Sequence, residues 1–243
     1  MEILAIGNSF SEDAMRYIHR IAKSDGKNIN TVNLYIPGCP LFTHYHNMLN
    51  DKIAYDFQFN GESTRVCVSI KQVLQSKEWD YITFQQVSSM APDYNTYQPY
   101  LSALSEYCKK YSPKSIQLMH QTWAYEENSE RLTAELGFRH HEDMFFGIEH
   151  SYAKAAKALG GIGIIPCGAV FEKMIQNGIK RVHRDTFHAD RGIGRYALGL
   201  TWYGYLTGED VLKNKFNDLD TAFSEDELNT VRKSVKQILE ASD

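Results

Sequence analysis

An α/β fold, a parallel sheet covered by helices on both faces, is what this sequence predicts. Short apolar or β-branched runs recur at residues 3–6, 28–36, 79–86, 115–120 and 162–165. Segments of helical periodicity separate them. Runs this short suit strands buried on both faces, and strands that alternate with helices make parallel sheets. No repeat, low-complexity tract or interdomain linker breaks the pattern, so residues 1–243 read as a single domain with a five-stranded parallel sheet.

The first run, Ile3-Leu4-Ala5-Ile6, meets a turn at Gly7-Asn8-Ser9. Ser11 has the chemistry of an N-cap, and Glu12 and Asp13 suit the positive end of a helix dipole. A helix is therefore expected from Ala14 to about Ser24. Residues 28–36 (NINTVNLYI) alternate and form a second strand, stopped by Pro37-Gly38-Cys39-Pro40. Residues 41–53 read as helical or irregular. Asn60-Gly61, inside 55–68, is a strong turn dipeptide, and a small hairpin at the edge or on the face of the domain is expected.

Residues 69–77 read as a short helix and 79–86 (WDYITFQQ) as strand three. A helix over 97–111 carries Leu101, Leu104, Tyr107 and Cys108 on its inner face and ends at Pro113. Strand four is 115–120 (SIQLMH), and a polar, partly helical insertion, 121–139, follows near its carboxyl end. Residues 141–159 are helical, with Gly160-Gly161 as the stop. Strand five, 162–165, leads into a helix to about 177. A loop, 178–189, precedes a helix over 192–206, and Ser224 with Glu227 at capping-box spacing opens a last helix to 241.

Composition narrows the function classes. The net charge is −4, from 26 basic and 30 acidic residues, with no basic block to hold nucleic acid or an anionic membrane. No apolar run approaches the roughly 20 residues of a membrane span. The chain opens directly on a strand, without a basic and apolar leader, so a cytoplasmic location is expected. Cys39, Cys67, Cys108 and Cys167 show no C-x-x-C spacing and are expected to be free thiols, serving chiefly as small hydrophobes. Aromatic residues make up 12% of the chain, 15 of them tyrosine, a composition that suits a cleft for sugars or other flat-faced ligands.

Ligands bind at the carboxyl ends of strands in open α/β sheets. Ser9 stands there after strand one, Gly38 after strand two, Gln85 and Gln86 at the end of strand three, and His120 at the end of strand four. Alone, Gly7-Asn8-Ser9 is equally an ordinary strand-to-helix turn. Asp185 and His188 change that. At three residues' spacing a carboxylate can fix the tautomer of an imidazole, which is then free to activate a serine. Backbone N–H groups at a helix N-terminus can stabilise the resulting oxyanion.

On these residues the chain resembles the SGNH/GDSL hydrolases. Gly7-Asn8-Ser9-Phe10-Ser11 is similar to their first block, with Asn8 where Asp is usual. Pro37-Gly38-Cys39 is similar to the second block, and Arg184-Asp185-Thr186-Phe187-His188 to the last, D-x-x-H block. The three stand in the family's order across nearly the whole chain, closest to a poorly characterised branch that begins GNSFS and carries Q-Q after strand three. The resemblance implies a three-layer, flavodoxin-like fold and a serine esterase. Ser9 would be the nucleophile, His188 the base and Asp185 its orienter, with the backbone N–H groups of Ser9 and Gly38 in the oxyanion hole.

One block departs from the family. The third, G-x-N-D, supplies an Asn side chain as a further oxyanion donor, whereas this chain has Gln85-Gln86-Val87-Ser88-Ser89. Strand alternation sends Gln85 and Gln86 to opposite faces, and Gln86, nearer the loop, is the expected donor. Ser88 and Ser89 are the alternatives, as is a purely structural role for both glutamines. Gln85, His120 and Trp123 are candidates for the substrate pocket, with Trp123 as a sugar platform; a buried, satisfied histidine and a core tryptophan are the equal alternatives for the last two. His44, His46, His183, Asp185 and His188 include metal-ligand types but no two-ligand helical spacing, and His140-His141 reads as solvated, so neither metal nor cofactor is expected. The expected reaction is hydrolysis of a short acyl ester, acetyl above all, on a carbohydrate or other small molecule. The other readings are a non-catalytic anion or nucleotide binder and a thioesterase or phosphoesterase.

Overall fold

A computed structural model of the protein describes residues 1–241. Seven strands form one sheet: β1 (Glu2–Gly7), β2 (Asn30–Tyr35), β3 (Tyr55–Phe59), β4 (Glu62–Val68), β5 (Tyr81–Phe84), β6 (Ile116–His120) and β7 (Gly163–Ile165). Their order is β4-β3-β2-β1-β5-β6-β7. The strands β2, β1, β5, β6 and β7 run parallel, as their apolar runs predict. The expectation of five strands, all parallel, is corrected by β3 and β4. They pair antiparallel, and β3 continues the sheet beyond β2. Asn60 and Gly61 both have positive φ at the tight turn, and Asn60 Oδ1 accepts from the Thr31 N–H at 2.9 Å, which joins the hairpin to the sheet edge.

The helices are α1 (Ser9–Met15), α2 (Ile18–Ser24), α3 (Leu41–Leu49), α4 (Ile70–Leu74), α5 (Tyr100–Tyr111), α6 (His141–Ala158), α7 (Cys167–Gln176), α8 (Ile193–Thr207) and α9 (Glu225–Ala241). Eight of them pack in two groups: α1 and α2 against α8, with α7 and α9 beside it, and α3 against α4 and α5; α6 lies against β6 and β7. Helix α8 is the internal one. Tyr196, Leu198, Leu200, Trp202 and Tyr203 are all buried, so it is apolar on every side. Among the described residues no helix is long and apolar enough to cross a membrane.

The first helix starts earlier than its cap residues suggest. Asn8, not Ser11, is the N-cap: its Oδ1 accepts from the Phe10 N–H at 3.0 Å. Ser11 is the third helical residue, and its hydroxyl accepts from the Asn8 N–H at 3.1 Å, completing a capping box. Ser9 thereby becomes the first residue of α1. The helix also breaks at Arg16 and Tyr17 rather than running on to Ser24. Arg16 swings out to Asp220 and Glu62, while Tyr17 is buried with its hydroxyl on the Arg191 carbonyl.

Parallel strands in the order β2-β1-β5-β6-β7 reverse direction of winding at β1 and β5. Open sheets bind ligands at that switch point, beyond the carboxyl ends of the strands. Ser9 lies there, two residues past the end of β1.

Candidate active site

Ser9 and His188 are 179 positions apart and meet at 2.9 Å, Oγ to Nε2. Asp185 Oδ2 lies 2.9 Å from His188 Nδ1, and Asp185 Oδ1 accepts from the His188 backbone N–H at 2.9 Å. The carboxylate therefore holds the proton on Nδ1 and leaves Nε2 to accept from the serine hydroxyl. Burial raises the Asp185 carboxyl, but hydrogen bonds from the His188 ring and backbone and the nearby Arg184 charge outweigh it and keep the group below the usual aspartate range. It is ionised at neutral pH.

A strained turn holds this pair. Thr186, between them, has a φ of 72°, unusual for a β-branched residue. Its neighbours over-determine it. The Glu126 N–H donates to the Thr186 carbonyl at 2.7 Å, and the Trp123 indole N–H to the Phe187 carbonyl at 2.8 Å. The Arg184 N–H donates to the His188 carbonyl at 3.0 Å, and the Arg131 guanidinium lies 4.1 Å from the Phe187 ring centre. The 121–139 insertion is thus the buttress of the Asp185–His188 turn.

On the other side, the Asn8 side chain joins three elements. It caps α1, donates to the Cys39 carbonyl at 3.0 Å and accepts from Gln85 Nε2 at 2.7 Å. The Cys39 bond draws the Pro37-Gly38 turn towards the loop that carries Ser9. Gly38 has a φ of 59°, which suits glycine, and a side chain there would meet open space. Gly7 is required for a different reason. A Cβ there would lie 2.2 Å from Ser11 Oγ, inside the capping box.

Gln86 is not placed as an oxyanion donor. Its Nε2 donates to the Thr96 carbonyl and hydroxyl at 2.9 and 3.0 Å, while Oε1 accepts from the Leu41 and Val87 N–H groups. It staples three loops in the interior. Ser88, another candidate, pairs its hydroxyl with that of Tyr125 at 2.9 Å. Gln85, His120 and Trp123 are corrected too: each is at most 1% exposed, so none faces a substrate. Trp123 stacks on Phe10 at 4.1 Å between ring centres. His120 Nδ1 donates to Gln85 Oε1 at 2.8 Å, and burial pushes its ring down to about 3, so it is neutral.

The other chemistry-bearing groups are dispersed. Burial pushes the Cys39 thiol up to about 12, which removes it as a nucleophile. The thiols of Cys108 and Cys167 are buried and that of Cys67 is exposed, all four free. His44 pairs with Tyr55, and His183, two residues before Asp185, turns its ring to the Ala124 carbonyl. Glu127, His140 and Glu142 bring ligand-type atoms within 4.8 Å of one another. They sit at the start of α6, where Glu127 accepts from the His141 N–H at 2.7 Å and serves as a cap. His141 is not solvated as expected: its ring lies between Glu127, Glu142 and Glu172 with 14% of the side chain exposed.

A family described as a domain of unknown function, DUF4886, matches residues 2–235. The chain belongs to the DUF4886 family. No curated protein matches it. A crystal structure of a DUF4886 protein from Bacteroides uniformis is 30% identical, covers 100% of this chain and 96% of that one, and superposes at a TM-score of 0.93. A protein from Slackia heliotrinireducens, described as a candidate SGNH hydrolase, is 20% identical over 84% of this chain and 97% of that one, at a TM-score of 0.61. An acetyl xylan esterase from Geobacillus stearothermophilus is 11% identical over 83% of this chain and 90% of that one, at 0.50. At the last two identities the likeness is one of fold. The fold is that of the SGNH/GDSL hydrolases, as the three sequence blocks imply.

Two charged residues beside the site pair in a way that sequence reasoning missed: Asp13, read only as a helix-dipole acid, is fully buried, and Arg184 Nη1, read only as part of the last block, lies 2.9 Å from both of its carboxylate oxygens.

Proposed function

We propose that this DUF4886 protein is a serine esterase of the SGNH type, which removes short acyl groups, acetyl above all, from a carbohydrate. The hydrogen-bonded series Asp185–His188–Ser9, with 2.9 Å at each step, carries this reading. A serine hydroxyl is a poor nucleophile at neutral pH unless a base takes its proton, and a binding module has no use for the whole series.

In this mechanism His188 Nε2 accepts the Ser9 proton as Oγ attacks the ester carbonyl. The carbonyl oxygen becomes an oxyanion. Ser9 is the first residue of α1, so its own N–H has no carbonyl partner within the helix and is available to that oxygen. The Gly38 N–H is the second donor. Collapse of the tetrahedral intermediate breaks the bond to the alcohol, which leaves with the proton from His188. Water then attacks the acyl-enzyme, His188 again takes and returns a proton, and the acid departs. Asp185 stays ionised throughout and stabilises the imidazolium.

The preference for acetyl on a sugar draws support from the acetyl xylan esterase of the same fold and from the aromatic content. A short-chain chromogenic ester tests the reaction, with an acyl-length series and an acetylated oligosaccharide testing the substrate. Ser9→Ala and His188→Ala are expected to lower kcat by about 10⁴-fold or more while leaving the far-UV spectrum unchanged. Turnover that survives Ser9→Ala overturns the mechanism. Faster cleavage of long-chain than of acetyl esters overturns the substrate class.

A further inference from the structure

Asp13 lies four residues after Ser9 on α1, so the two side chains leave the helix on one face, a single turn apart. Asp13 is fully buried. Four contacts converge on its carboxylate. Arg184 Nη1 lies 2.9 Å from both oxygens, Arg195 Nε donates at 2.8 Å, and the Ala189 backbone N–H donates at 3.1 Å. Arg184 Nη1 also reaches the Ala189 carbonyl. Arg184 and Ala189 flank the Asp185–His188 turn, so one buried carboxylate grips both of its ends. Arg184 Nε is 3.8 Å from Asp185 Oδ2, the oxygen that holds the His188 ring.

These contacts close a ring: Ser9, His188, Asp185, Arg184, Asp13, and back to Ser9 through one turn of α1. From it we infer that Asp13 and Arg184 are positioning residues for ester hydrolysis. Asp13 sets the reach of His188 to Ser9, and Arg184 keeps the Asp185–His188 pair in its working protonation state. The inference rests on the serine-esterase reading and adds two residues to it.

The physical reason is stiffness. A helix turn is the least deformable link available between Ser9 and a second anchor. The charge-assisted bonds to Asp13 are desolvated, so they yield little to thermal motion. The charge count fits as well. Two guanidiniums face one carboxylate at Asp13. Arg195 also meets Asp220 at 3.4 Å, which leaves Asp185 as the second anion beside Arg184.

The test compares Asp13→Asn, Arg184→Met and Arg184→Lys with the native protein and Ser9→Ala, using kcat, KM and the pH profile of kcat/KM. Asp13→Asn is expected to lower kcat about 100-fold with KM nearly unchanged, the consequence of a base displaced by around an ångström. Arg184→Met removes a cation from the carboxylate–imidazole pair, which then binds its proton more tightly. The acid limb should move up by roughly one pH unit. Arg184→Lys keeps the charge and should return the limb to its native place. Loss of activity in Ser9→Ala alone, with native kcat and profile in the other three, overturns this inference and leaves the esterase reading intact. Activity retained in Ser9→Ala overturns the esterase reading itself. If Asp13→Asn does not fold, the two Arg184 variants decide. Equal limbs in both, at reduced kcat, assign Arg184 a structural role only and overturn its part in the proposal.

Discussion

The indole N–H of Trp123 donates to the carbonyl of Phe187 at 2.8 Å, and so ties the segment after β6 to the residue before His188. The same indole stacks on Phe10, the residue after Ser9. One buried side chain therefore touches the neighbours of both the proposed nucleophile and the proposed base. Trp123→Phe keeps an aromatic ring but leaves the Phe187 carbonyl without its donor. It is expected to destabilise the fold by about 2 kcal/mol, from the unpaired carbonyl and the vacated volume. Urea unfolding measures the first effect, and a fall in kcat without a matching rise in KM reports displacement of the His188 turn.

Gly7 tests the capping box. An alanine methyl there falls on Ser11 Oγ, so the hydroxyl must leave the Asn8 N–H. Gly7→Ala is expected to cost about 1–3 kcal/mol, the range for an overpacked core, and to depress activity because Ser9 sits on the distorted cap. A thermal melt alongside the ester assay reads both. An unchanged melting temperature would show that the loop absorbs the methyl.

Gln86 separates a staple from a catalytic donor. Loss of one oxyanion donor costs about 10²–10³-fold in kcat. Gln86 is instead bonded to Leu41, Val87 and Thr96. Gln86→Ala should thus lower stability by about 2 kcal/mol while kcat stays within roughly tenfold of native. A drop of several hundredfold in a normally folded variant would restore it to the oxyanion hole.

Acid should destabilise the protein through buried histidines. Burial pushes His44 and His120 down to about 3 and His183 to about 4. In the unfolded chain the same rings take up protons near the ordinary value of about 6.5. Between these limits the unfolded state binds more protons, so stability falls as pH drops. Each ring contributes a slope on the order of 1 kcal/mol per pH unit below about 6.5, levelling off near its native value. Denaturant midpoints at pH 7, 6 and 5 test this. His120→Asn, if it folds, should flatten the dependence.

The parallel strands were legible because each is a short apolar run between turn residues, and burial on both faces demands that composition. The hairpin was legible as a turn, Asn60-Gly61, but not as two further strands of the main sheet. Strand β4 is mostly exposed, so its residues carry no apolar pattern to read. The capping of α1 was misplaced because Ser11 and Asn8 both have cap chemistry, and only the reciprocal geometry of the two chooses between them.

Ser9, Asp185 and His188 could be singled out from sequence as candidates because each supplies a particular functional group at a strand end or in a tight turn. Their spacing along the chain says which atoms could react. Gln85, His120 and Trp123 were misread for a related reason. Position at a strand's carboxyl end predicts nearness to a site, yet whether a side chain points outward depends on what packs above it. Phe10 and Phe171 cover Trp123, and Asn8 closes over Gln85. Local sequence determines periodicity, turns and the supply of reactive groups, because those depend on a few neighbouring residues. Tertiary packing alone decided that Ser9 and His188 meet at 2.9 Å, and that a buried Asp13 grips both ends of the turn that brings them together.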